Sequence, residues 1–241
     1  MNKSILATGS PNAVNAKSKD VAVQQLSKED FTAHCTEIAS LYIAVFGDSP
    51  WYEKLLAKVN GRWERFGRPD ELDALNDLIS KGTVDPRDVR PFYTNEGVRE
   101  SMSVCSDSKL FLATAATVNG TIIGVSWGMR ADAIPSEDKA QSVGLITKAH
   151  NLSPVNTFYC DETFVDQAYR GIGVGKELIR LRGDLAIEQS ITHAIVRTKN
   201  QVQVGNFMSV FGAENVREAY SNPNDSQEGR KYYLIRLMRD W

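Results

Sequence analysis

The sequence has few cysteines, no long apolar run and almost no net charge. Its three cysteines, Cys35, Cys105 and Cys160, match neither the paired spacing of a zinc site nor a dense disulfide framework, so a reducing, cytoplasmic setting is expected and no metal site is. No apolar stretch approaches the roughly 18–20 residues that a membrane-crossing helix needs. The early patch Ile5-Leu6-Ala7 is cut short by Thr8, Gly9, Ser10 and Pro11, below the length of a signal-peptide core, and residues 1–26 read as a disordered tail. Lysine and arginine number 28 against 30 aspartates and glutamates, a balance that offers no footprint for nucleic acid or an anionic membrane surface. What is present is a 42% apolar content over 241 residues, enough to bury one sizeable core, and a single domain is expected over 27–241.

Ser27 followed by Asp30 resembles a loose capping box, and Phe31, Ile38, Leu41, Tyr42 and Val45 recur at helical spacing, which predicts a helix over 28–46. Gly47, Asp48 and Ser49-Pro50 end it, and Trp51-Tyr52 begins a second, shorter segment. Residues 53–108 are charge-rich and proline-punctuated, with a helix expected over 70–81 ahead of Gly82, and read as a helical insertion. Runs rich in β-formers at 109–117 and 121–129, joined through Val118-Asn119-Gly120, predict an antiparallel hairpin. After Pro135 a helical stretch runs to His150, then a strand over 157–165 interrupted by Asp161-Glu162. A glycine-rich turn leads into an amphipathic helix carrying Leu178, Leu181, Leu185 and Ile187. A strand over 191–198, a short helix over 202–211 ending at Gly212 and a last strand over 231–238 complete a mixed α/β chain of the α+β type.

The turn Arg170-Gly171-Ile172-Gly173-Val174-Gly175-Lys176 carries the most information. Three glycines let backbone N–H groups converge on an anion, the following helix adds its N-terminal dipole, and Arg170 and Lys176 offer direct pairing to phosphate oxygens. A Walker loop, GxxxxGK(S/T), needs glycine at 170 and a hydroxyl at 177, where Arg170 and Glu177 stand. A dinucleotide fingerprint opened at Gly171 needs glycine or alanine at 176, where Lys176 stands.

The pattern (Q/R)xxGx(G/A) is met at every position by Arg170, Gly173 and Gly175, and here the sequence resembles the GNAT superfamily of acyl-coenzyme A dependent N-acyltransferases. The approach Phe164-Val165-Asp166-Gln167-Ala168-Tyr169-Arg170-Gly171, the segment YIAVFGDSPW at 42–51, the hairpin GTIIGVSWG at 120–128 and the turn Phe211-Gly212-Ala213 are similar to the family's corresponding pieces. The resemblance implies a mostly antiparallel twisted sheet splayed at its centre, with helices on both faces. It also implies acetyl-coenzyme A as co-substrate, an amine acceptor, and carrier binding by the backbone of Phe164 and Val165 and by Arg170, Gly171, Ile172, Gly173, Val174, Gly175 and Lys176. A homodimer stays open.

Transfer to an alkyl amine of pKa ~10 needs a base to take its proton. Glu162, on the strand leading into the turn, is the leading candidate and Asp161 the second. Side chains alternate along a strand, so both face one cleft only if a bulge intervenes. The tyrosine that many family members place four residues before the final glycine is Met208 here, and Asn200 stands one position from the family's asparagine, where Gln201 is found. No acid is assigned among Ser209, Tyr220, Tyr232 and Tyr233. Trp51, Tyr52, Arg62 and Trp63 are candidates to line the acceptor groove. Two other readings stand beside the transferase: a noncatalytic acyl-coenzyme A sensor of the same fold, and an enzyme using the loop for ATP or NAD.

Overall fold

The structure is a computed structural model describing residues 20–48, 51–220 and 230–237, with the side chain of Tyr220 excepted. Its main sheet has seven strands: β1 (Ala22–Leu26), β5 (Leu112–Val118), β6 (Thr121–Arg130), β7 (Thr157–Val165), β8 (His193–Thr198), β10 (Lys231–Arg236) and β9 (Val216–Tyr220), in that spatial order. Only β7 and β8 run parallel; every other neighbour is antiparallel. The hairpin of β5 and β6 turns on Asn119 and Gly120, both at positive φ, as the Asn-Gly pair predicts.

Helices cover both faces. On one side α2 (Cys35–Gly47), α4 (Asn95–Ser106) and α5 (Glu137–Ala149) close over Ala113, Ala115, Val125, Trp127 and Tyr159. On the other α6 (Val174–Glu188) and α7 (Gln201–Phe211) cover Phe158, Cys160, Val165, Ala194 and Val196. The expected first helix is split at His34 into α1 (Lys28–Ala33) and α2, and Ser27 caps it by accepting from the Asp30 N–H.

Two sequence expectations are corrected. Residues 22–26 are not tail but an edge strand laid along β5, since Val21 and Val23 pack against an apolar cluster and Leu26 is buried; residues 1–19 lie outside the described residues. The stretch 53–108 is not a helical insertion. It folds as a second sheet of β2 (Leu55–Val59), β3 (Arg62–Phe66) and β4 (Val89–Pro91) under α3 (Pro69–Ser80), with its own small core of Ala57, Val59, Phe66, Leu75 and Val84. The last part, α4, belongs to the main body, where Val98 and Met102 join the core beside α2. Trp51 and Tyr52, where the second segment is expected to begin, form a turn ahead of β2, with Tyr52 at positive φ.

Candidate active site

The site begins with a slip in strand register. Trp127 of β6 stands opposite Glu162, but its neighbour Gly128 stands opposite Cys160, so Asp161 is an extra residue. Before the slip Tyr159 joins the α2 side and Cys160 the α6 side; after it Phe164 joins the α2 side and Val165 the α6 side. The alternation has lost one step, and the adjacent carboxylates of Asp161 and Glu162 both face the α2 side. The bulge foreseen as a condition is therefore present.

Buried polar groups hold it. Arg182 of α6, only 2% exposed, donates from Nη1 to the carbonyls of Trp127 at 2.9 Å and Glu162 at 3.1 Å. Ser126 Oγ adds a bond of 3.3 Å to the same Glu162 carbonyl. Backbone acceptors that irregular pairing leaves over are thus satisfied inside the protein.

Asp161 accepts from Lys139 Nζ at 2.6 Å and Trp127 Nε1 at 3.2 Å, with the Cys105 thiol 3.6 Å away. Burial works against the Lys139 ammonium, but Asp161 overrides it and holds the lysine firmly protonated. Glu162 is different. Burial first, and then the charge of Asp161, push its pKa up to about 7, against the smaller pull of Lys139 and Arg230. It exchanges a proton near neutrality, as a general base must. Burial and Asp161 push the Cys105 thiol up to about 12, and burial raises that of Cys160, so neither is a nucleophile at neutral pH.

Tyr42 of α2 donates to Glu162 Oε1 at 3.4 Å, and its hydroxyl also meets that of Tyr93, which donates to buried Glu53 at 2.7 Å. Burial foremost raises both phenols, helped by Glu162 at Tyr42 and by Glu53 at Tyr93, so both keep their protons. Each hydroxyl has a single hydrogen. With Glu162 ionised, Tyr42 gives its hydrogen to the carboxylate; with Glu162 protonated, the carboxyl donates to Tyr42, whose hydrogen turns toward Tyr93. A 160 Å³ cavity lies against Glu162, Tyr42, Tyr93 and Lys139. It shares Gly97, Ser101, Lys139 and Asp161 with a wider 360 Å³ opening beside α4.

On the other side of the bulge the sheet opens. β7 and β8 pair only from Thr157 opposite His193 to Cys160 opposite Val196; beyond that, Phe164 and Val165 are paired to β6 alone. The gap widens into a 480 Å³ cleft bounded by residues 163–165, the turn, the start of α6, and Asn200, Gln203 and Asn206 at α7, with Trp51 at one wall. Gly171 and Gly173 adopt φ of 81° and 92° with open space where a Cβ would be, so backbone conformation, not crowding, calls for glycine. Gly173 caps α6, and Arg170 Nε ties the turn to the Val165 carbonyl at 3.1 Å.

Of the carrier-binding residues expected from sequence, Phe164, Val165, Arg170, Gly171, Gly173, Val174, Gly175 and Lys176 line this cleft; Ile172 projects from the turn and does not. Met208 is 37% exposed and off the cleft, so α7 brings amides rather than a phenol to it. Tyr232 and Tyr233 are core residues. Trp63 and Arg62 lie on the small sheet, where Trp63 stacks under Arg90. Tyr42, Tyr93, Lys139 and Arg182 are the contributors that sequence reasoning missed; of these only Tyr93 lay outside the stretches marked by resemblance. His34 pairs with Glu37, His193 with Thr192, and among the described residues no cluster of metal-ligating side chains occurs. Among them, too, no helix is long and apolar enough to cross a membrane.

Solved structures share this architecture. A GCN5-related N-acetyltransferase from Kribbella flavida matches with a TM-score of 0.51 at 13% identity, covering 92% of this chain and 100% of its own. Aminoglycoside 6'-acetyltransferase type Ii matches at 0.50 and 7% identity, covering 90% and 98%. No family model and no curated protein matches the sequence. The chain has the GNAT fold.

Proposed function

We propose that the protein is an acetyl-coenzyme A dependent N-acetyltransferase in which Glu162 takes the proton of the acceptor amine. The observation that carries this reading is the bulge, which turns a half-buried carboxylate titrating near neutrality toward a cavity between the strands and the helices α2 and α4. The cleft fits a long carrier: left-handed glycines at a helix N-terminus suit a diphosphate, and a strand with one unpaired edge suits an amide-bearing arm. When bound, acetyl-coenzyme A supplies an activated thioester. Arg170, Gly171, Gly173, Gly175 and Lys176 would hold its phosphates, and the backbone of Phe164 and Val165 its arm.

The chain's own residues do the rest. Arg182 fixes the bulge, Lys139 pairs with Asp161, and burial together with the charge of Asp161 keeps Glu162 basic enough to accept a proton. Tyr42 steadies the ionised carboxylate, so Tyr42→Phe is expected to move the rising limb of the pH–rate profile to higher pH. An unmoved limb would remove Tyr42 from this role. Replacing Gly173 by valine forces a β-branched residue into φ near 92°, at a cost of roughly 1–2 kcal/mol or more. Gly173→Val should raise KM for acetyl-coenzyme A about tenfold or more while kcat at saturation changes less.

The exposed Met208 where the family often has a tyrosine favours a second reading, a noncatalytic acyl-coenzyme A sensor. Thiol release from acetyl-coenzyme A with a panel of amines separates the two. Turnover supports the transferase; tight carrier binding with no turnover on any amine supports the sensor.

A further inference from the structure

Two cations from distant parts of the chain meet beside the ring of Trp51, and a third, Arg65, joins one of them at Glu53. Lys199 Nζ, just after β8, stands 5.3 Å from the ring centroid, and the guanidinium of Arg230, just before β10, stands 5.5 Å from it. Arg65 of β3 and Arg230 both reach Oε1 of Glu53, at 2.7 and 3.6 Å. Glu53 is almost wholly buried and is shared by the two guanidiniums, so among the described residues the cluster keeps a surplus of positive charge. Lys199 is exposed and has no ion-pair partner among the described residues. Burial foremost and then the neighbouring Arg230 lower its pKa, against the smaller pull of Glu53.

The placement of the cluster matters as much as its charge. Trp51 lines the cleft, the charge of Arg230 reaches Glu162, and Glu53 connects to Glu162 through Tyr93 and Tyr42. The glycine turn that suits a diphosphate lines the same cleft at the start of α6. Positive charge whose field reaches a base that accepts an amine proton calls for a ligand with an amine at one end and an anion at the other.

Resting on the acetyltransferase reading, we propose that the acceptor is a small amine that also carries a carboxylate or a phosphate, and that Lys199 and Arg230, gathered at Trp51, bind this anionic group. Matched acceptors test it: β-alanine against n-propylamine, and O-phosphoethanolamine against ethanolamine. In the wild type the anionic member of at least one pair should have kcat/KM about tenfold higher or more. That ratio should fall about tenfold in Lys199→Gln and invert in Lys199→Glu, changes at an exposed side chain that leave the packing intact.

The carboxylate and phosphate pairs tell the two anions apart. A wild-type ratio at or below one in both pairs would overturn the proposal. So would a ratio unmoved in both variants, or an effect confined to KM for acetyl-coenzyme A, which would give the cations to the carrier's phosphates. Should no amine be turned over, the acetyltransferase reading fails by itself and thermal shift in the presence of coenzyme A decides. Stabilisation of the wild type, but not of Lys199→Glu, by β-alanine or O-phosphoethanolamine would uphold the anion site; no stabilisation would overturn it.

Discussion

Glu162→Gln is expected to lower kcat by about 10²–10⁴-fold while leaving the affinity for acetyl-coenzyme A nearly unchanged. Glutamine keeps the size of the side chain and an oxygen for Tyr42 but cannot take a proton. The loss should appear in kcat because the carrier is held elsewhere, by the turn at 170–176 and the free edge of β7. Steady-state kinetics with a fixed amine check this. A variant within threefold of the wild type would move the base to another residue, with Asp161 the nearest alternative. Asp161 is poorly suited, because Lys139 and Trp127 already occupy its oxygens.

Gly128→Ala should cause the largest loss of stability among single-methyl changes near the site. A Cβ at Gly128 would lie 2.2 Å from the Tyr159 carbonyl oxygen and 2.5 Å from the Phe158 ring. The oxygen belongs to the backbone of β7 and cannot rotate away, so β6 and β7 must part where the bulge forms. Overpacking of this kind costs about 3 kcal/mol, a fall of roughly 6–12 °C in Tm for a chain of this size. Gly144→Ala is the control, since an added methyl there meets nothing and removes a helix-interior glycine. It should match or slightly exceed the wild type in thermal unfolding. Equal stability of both variants would contradict the register slip on which Asp161 and Glu162 depend.

The parts of the fold legible in sequence are those written into adjacent residues. The strand at 157–165, the glycine turn and α6 follow from β-formers, positions needing positive φ and a leucine stripe in unbroken succession. The bulge was visible only as a condition, because two neighbouring acids show that the alternation is broken but not by which device. The small sheet was missed although Asn60-Gly61 carries the same turn signal as Asn119-Gly120 and adopts the same positive φ at both residues. Its strands hid because β3, RWERF, is exposed at all but its last residue, leaving no apolar alternation to read. β1 hid likewise, with glutamines at two of five positions and one fully buried side chain.

What surrounds Glu162 was illegible for another reason. Tyr42, Tyr93, Lys139 and Arg182 come from four different helices or loops, and nothing local in the sequence announces that they converge. The same holds for Lys199 and Arg230 at Trp51 and for Arg65 at Glu53. Tertiary pairing brings such residues together, so their roles emerge only once the strand order is known.

The central claim is that Glu162 is a base titrating near neutrality, and the pH dependence of kcat/KM for acetyl transfer tests it most directly. Because the ionised carboxylate is the active form, the rate should rise with pH through a midpoint near 7 and level off above it, short of the amine's own transition at about 10. The limb near 7 should be absent from Glu162→Gln. A wild-type profile flat between pH 5.5 and 8.5, or the same limb surviving in that variant, would contradict the account.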